Sequence, residues 1–150
     1  MTKKEEYQMT KDYLYSVVNL DKEINENIRR IGELKQKARG TAIRYDTDRV
    51  QTSGSKDRIG DIVAEYTTLE EETDRLIDEY VDLKEKMINQ ISLVDKDSHK
   101  TLLELKYIEG KSIYDIAVIM DKPDGTCKRW HTEAVTTFFE KNRHNILYSA

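Results

Sequence analysis

The chain has one cysteine, one proline and two phenylalanines in 150 residues. A lone Cys127 cannot close an internal disulfide, which fits a reducing compartment. With Pro123 the only proline, the first 122 residues hold nothing that must break a helix. No apolar run approaches the ~20 residues needed to span a bilayer. The opening M-T-K-K-E-E-Y-Q has no apolar signal-peptide core, so the expected location is the cytoplasm. A basic excess is also missing: 25 Lys/Arg stand against 29 Asp/Glu, for a net charge of −4. Residues 98–150 carry eight Lys/Arg and seven Asp/Glu, so affinity for a polyanion has to come from local placement. Catalytic and metal-binding patterns are equally scarce. There is no Ser/His/Asp set, no phosphate loop and no C-x-x-C. Cys127 and His131 lie four apart on one helix, but no second pair follows, and His99 and His144 stand in unrelated contexts. The expectation is a protein that is not an enzyme and needs no metal or cofactor.

What is present suits long exposed helices. Hydrophobic residues make up 37% and charged residues 36%, a balance that favours extended amphipathic segments over a large globular core. Over residues 3–45, Leu14, Val17, Ile24, Ile28, Ile31, Ala38, Ala42 and Tyr45 follow a three-four spacing. Such a weakly apolar helix needs a partner to stay folded, and Gly32 and Gly40 weaken its later turns. The next segment is more regular. Ile59, Ile62, Tyr66, Leu69, Thr73, Leu76, Tyr80, Leu83 and Met87 alternate three and four apart, a heptad seam with one polar member, Thr73. Two uses of this seam stay open: pairing with the first helix in an antiparallel hairpin, or assembly of copies, most simply a dimer. Glu70, Glu71 and Glu72 form a solvated face. Between the helices, residues 46–56 contain Ser53-Gly54-Ser55, which reads as a capped turn, or as a docking tip carrying Arg49, Lys56 and Arg58.

The chain changes character over residues 102–139. Ser112 with Asp115 three residues on marks a helix start. Ile113, Ile116, Ala117 and Met120 repeat at helical spacing and predict a short, one-faced helix. A turn through Asp121, Lys122, Pro123, Asp124 and Gly125 follows. Then Cys127, Trp130, Ala134, Val135 and Phe138 mark the buried stripe of another helix. Short helix, tight turn and a second helix with one polar face is the helix-turn-helix plan. The tail from Glu140 to Ala150 either prolongs that helix or folds back.

The run G-K-S-I-Y-D-I-A followed by G-T-C-K-R-W resembles the fourth conserved region of bacterial sigma factors. Gly110, Ser112, Asp115, Ile116, Ala117, Gly125, Thr126 and Lys128 match that pattern in place. Pro123 stands where the family has a capping Ser or Thr, and Cys127 and Trp130 replace aliphatic residues. The stretch V-Q-T-S-G-S-K-D-R-I-G-D from Val50, with the acidic helix after it, resembles short phage- and prophage-encoded proteins of Gram-positive bacteria. Those proteins set a coiled-coil hairpin ahead of a sigma-region-4-like module, and related ones regulate late genes. The resemblance implies a phage or prophage regulator working in a bacterial host cell.

The expected fold is therefore all-α, with a coiled-coil hairpin over residues 1–93, a linker at 94–97 and a DNA-binding helix-turn-helix domain over 98–150. Thr126, Lys128, Arg129, Thr132 and Glu133 are expected to face outward on the last helix, with Lys122 just before it. Lys128 or Arg129 would pair with guanine edges, and Thr126 with a thymine methyl or a phosphate. Lys111 and the amides at Ser112 would sit on phosphate. Asp124 and Glu133 oppose a phosphate backbone, so a single copy should bind weakly and paired copies better. The expected partners are double-stranded DNA, a second copy of the chain and host RNA polymerase, with no membrane. Two alternatives remain. One is a DNA-packaging protein of the small-terminase type, which usually puts its DNA module first. The other is a helical interaction protein that contacts polymerase without binding DNA.

Overall fold

The computed structural model describes residues 1–47 and 53–148. The expected tip residue Arg49 and the side chain of Lys56 lie outside the described part of the chain. Five helices account for nearly all of what is described: α1 (Lys3–Thr47), α2 (Ser53–Ile91), α3 (Asp97–Tyr107), α4 (Ile113–Met120) and α5 (Asp124–Leu147). Every regular element among the described residues is a helix. α1 runs unbroken through Gly32 and Gly40.

Packing divides the chain into two compact units, residues 21–79 and residues 1–20 with 80–150. In the first, Ile24, Leu34 and Ile62 are buried, while Ile59, Tyr66, Leu69 and Leu76 are half-buried. Ile28 departs from its place in the apolar pattern and is 52% exposed. Arg30 pairs with Glu65 at 3.3 Å and Lys35 with Glu70 at 3.5 Å, tying α1 to α2 across exposed positions. Exposed pairs of this kind contribute at most about 1 kcal/mol each, so apolar contact is the stronger term. The polar seam residue Thr73 is buried, and its hydroxyl donates to the Leu69 carbonyl at 2.6 Å within α2. Its hydrogen bond is therefore satisfied without any partner helix.

The second unit is built around α5. Leu14 and Val17 of α1, Met87 and Ile91 of α2, Val94, and Leu103 and Tyr107 of α3 share one core with Ala134, Val135, Phe138, Phe139 and Ile146 of α5. A smaller core joins Leu102 of α3, Ile116 and Ala117 of α4 and Cys127 of α5, edged by Trp130. The early turns of α5 thus close the three C-terminal helices, and its later turns hold them on the start of α1 and the end of α2. The tail prolongs α5 as far as Leu147, with a break at Asn142 (φ −122°, ψ 21°). Asn142 is buried, and its amide donates to the Phe138 carbonyl at 3.1 Å and the Gln90 carbonyl at 3.2 Å. Lys141 reaches Asp95 at 3.5 Å beside it.

The two short connections set the angles of α4. Gly110 has φ +73°, in the left-handed region where a side chain is costly. Asp121 closes α4 at φ 54°, and Lys122 N–H donates back to the Ala117 carbonyl at 3.0 Å. Aspartate is one of the few non-glycine residues tolerated there. No atom lies within 4 Å of the position a Cβ on Gly110 would take, so a side chain would meet conformational strain alone. Gly110→Ala should then cost about 1–2 kcal/mol with the helices intact. A thermal melt followed by circular dichroism checks it.

Candidate nucleic-acid interface

α4 begins as its sequence requires. Ser112 is the N-cap, and its hydroxyl accepts from Asp115 N–H at 3.1 Å. The next helix lacks this device. Pro123 caps α5 with no side-chain bond, and the first turn is held by Cys127 N–H donating to the Pro123 carbonyl at 3.1 Å. Proline offers no N–H to leave unsatisfied at such an end. Cys127 packs fully buried against Leu102, Ile116 and Ala117, which pins the start of α5 to α3 and α4. Burial also pushes its thiol pKa up, so it is a poor nucleophile.

With Cys127 inward, Lys128, Arg129 and Thr132 are exposed on α5, while Thr126 is half-buried. Lys111, Ser112 and Lys122 are exposed at the two ends of α4. Lys122 lies over the half-buried Trp130 ring at 6.0 Å, and Lys128 lies over the Tyr114 ring at 5.5 Å. Such stacking orders a lysine without neutralising it. Glu133, an acid expected to oppose DNA, lies 3.4 Å from the buried His99. Asp124 is exposed in the first turn of α5.

Two of the predicted residues meet side chains from elsewhere in the chain. Lys128 and Thr132 line a cleft of about 310 Å³ together with Tyr7, Lys11 and Tyr15 of α1, Lys106 and Tyr107 of α3, Ile113 and His131. His131 anchors it. Tyr107 Oη lies 2.5 Å from its Nε2 and Tyr7 Oη 3.4 Å from its Nδ1. A neutral imidazole has one donor and one acceptor nitrogen, so one phenol donates to the ring and the other accepts from it. Tyr15 packs edge-on to Tyr107, with centroids 5.0 Å apart. None of the α1 and α3 members was predicted from the sequence. Tyr7, Lys11 and Tyr15 do recur every four residues, so they share a helix face. Their partner His131 is 124 residues away from Tyr7, and nothing local announces it.

Residues 40–139 match a family described as a protein of unknown function, DUF1492. The chain belongs to that family. No curated protein and no solved structure matches it. The DUF1492 match takes in α3, α4 and the first two-thirds of α5, but not the α1 wall of the cleft.

In this DUF1492 chain the cleft depresses the His131 pKa to about 4, first through burial and then through the charges of Lys106 and Lys11. Burial lowers His99 as well, against the pull of Glu133. Above pH 6.5 the His131 ring is neutral in both folded and unfolded chains and makes no difference to stability. Below it the unfolded chain takes up the proton first, so stability falls until the folded ring also protonates near pH 4. The loss over this window should reach roughly 3 kcal/mol at most. Denaturant unfolding of the parent and of His131→Gln between pH 7.5 and 4.5 measures it, and the variant should show the flatter profile.

Proposed function

We propose that this protein is a sequence-specific double-stranded-DNA-binding regulator of transcription, of the kind encoded by phages and prophages, with α4, the 121–123 turn and α5 acting as a helix-turn-helix. The observation that carries it is the exposure of Lys128, Arg129 and Thr132 on α5 beyond a short capped helix whose apolar side is buried. An α-helix in the major groove presents the residues of its first turns to base edges, and Arg129 has no competing partner among the ion pairs of the described residues. Lys111, Ser112 and Lys122 take phosphate contacts on either side. Thr126, half-buried, is left to a backbone contact. Glu133 remains an unfavourable charge, because the His99 ring 3.4 Å away has its pKa lowered by burial and is neutral at ordinary pH.

Assembly into a homodimer through the α2 seam completes the proposal, since two reading helices raise effective concentration on paired half-sites. Tyr80, Leu83 and Met87 already pack in this chain's own core and Ile62 is buried too, so the dimer rests on the half-buried Ile59, Tyr66, Leu69 and Leu76. Host RNA polymerase is the further partner. The packaging alternative calls for a ring of many subunits and is distinguished by mass in solution.

Duplexes selected from a random library by the purified protein, then titrated at several salt concentrations, test the reading. Arg129→Ala should weaken the selected duplex by about 1–3 kcal/mol and relax its sequence preference. Lys122→Ala should instead weaken all duplexes alike and lower the salt slope by about 1. Retention of no sequence by the library, with no salt-dependent binding, would favour a protein-only partner.

A further inference from the structure

The cleft beside His131 does more than extend a basic face. Its lining combines three lysines, three tyrosines, a histidine and a threonine, and contains no carboxylate. In a chain of net charge −4 that composition is unusual. Among the described residues, Lys11, Lys106 and Lys128 make no ion pair within 4.0 Å, whereas Lys35, Lys100 and Lys141 each do. Aromatic faces order all three instead: Lys11 lies 5.1 Å from the Tyr7 ring, Lys106 lies 5.7 Å from both Tyr15 and Tyr107, and Lys128 lies over Tyr114. The lysines come from three different helices, so the fold itself holds three like charges around one concavity. Like charges held together without a counter-charge are repulsive, and a bound anion would relieve that repulsion. The His131 pKa is depressed mainly by burial, and the charges of Lys106 and Lys11 both add to the shift.

We propose that this cleft binds a phosphoryl group, gripped by Lys11, Lys106 and Lys128, with the Tyr7 phenol, accepting from His131 Nδ1–H, as a further donor. Three separate ammonium groups suit an oxyanion whose oxygens diverge. A carboxylate is better matched by the planar fork of an arginine, and the lining has none. The volume exceeds what one phosphate needs and admits a diphosphate or a short length of nucleic-acid backbone. Lys128 and Thr132 belong also to the α5 face, so a duplex on that face would bring a backbone phosphate to the cleft and to the start of α1. Only this choice of source rests on the DNA-binding reading. The site itself does not.

The test uses the full chain and two probes, sodium pyrophosphate and a mixed-sequence DNA duplex, each titrated at constant ionic strength. The readout is the His131 ring resonances by NMR. Lys11→Gln and Lys106→Gln are made singly and together, and the resonances of Phe138 verify that the core is intact. Saturable displacement of His131 by pyrophosphate, weakened roughly tenfold by each substitution, supports a site open to small phosphorylated ligands. Displacement by the duplex alone, with the same losses, supports the site with backbone phosphate as its occupant. Duplex binding that leaves His131 unmoved overturns the site while leaving DNA binding intact. Pyrophosphate binding with no duplex binding does the reverse. Silence with both probes, or displacement that survives the double substitution, overturns the proposal.

Discussion

Tyr107 is the contact on which the second unit depends. Its ring is wholly buried among α1, α3 and α5, and its hydroxyl meets His131 at the edge of the cleft. A buried phenol without a partner would cost about 1–3 kcal/mol, so the pairing with His131 is required for the packing to be favourable. Burial raises the Tyr107 pKa and lowers that of His131, which keeps both groups neutral at ordinary pH. The arrangement therefore puts an uncharged pair at the centre and leaves positive charge at its rim.

From that contact the organisation of α5 follows. One face of its first turns buries Cys127, and the adjoining face exposes Lys128, Arg129 and Thr132. Four residues after Cys127, His131 is drawn inward by two phenols, which fixes the rotation of the helix about its axis. Its later turns, through Phe138 and Asn142 to Ile146, lock onto α1 and α2. The face offered to a partner is thus set by packing on all its other sides. Side chains on a helix held this way would meet any partner with little ordering left to do.

Much of this was legible in local pattern. Ser112 with Asp115 announced the start of α4, and the spacing of Cys127, Ala134, Val135 and Phe138 gave the buried stripe of α5, because caps and periodicity are short-range signals. Thr126 and Trp130 were less well placed; both are half-buried, at the boundary where a 100° step per residue cannot separate faces. What the pattern could not reveal was which helices share a core. The seam residues Tyr80, Leu83 and Met87 read as continuous with Ile59 and Leu76, yet they pack with the C-terminal helices, and so do Leu14 and Val17. Apolar spacing says that a face must be buried without naming what buries it. The Lys11, Lys106 and Lys128 cleft was hidden for the same reason, since its walls come from segments some hundred residues apart. Asn142 carried no forecast either, because a buried amide that breaks a helix looks like any polar residue in sequence.

The central physical claim is that the first twenty residues and the C-terminal helices are one cooperative unit that fixes the face of α5. Native-state hydrogen exchange of the full chain addresses it directly. If the account is right, the amides of Leu14 and Val17 open with the same free energy as those of Leu103, Val135 and Phe138, and respond equally to denaturant. Exchange of Leu14 and Val17 through a separate, low-energy opening while α3 and α5 stay protected would contradict it.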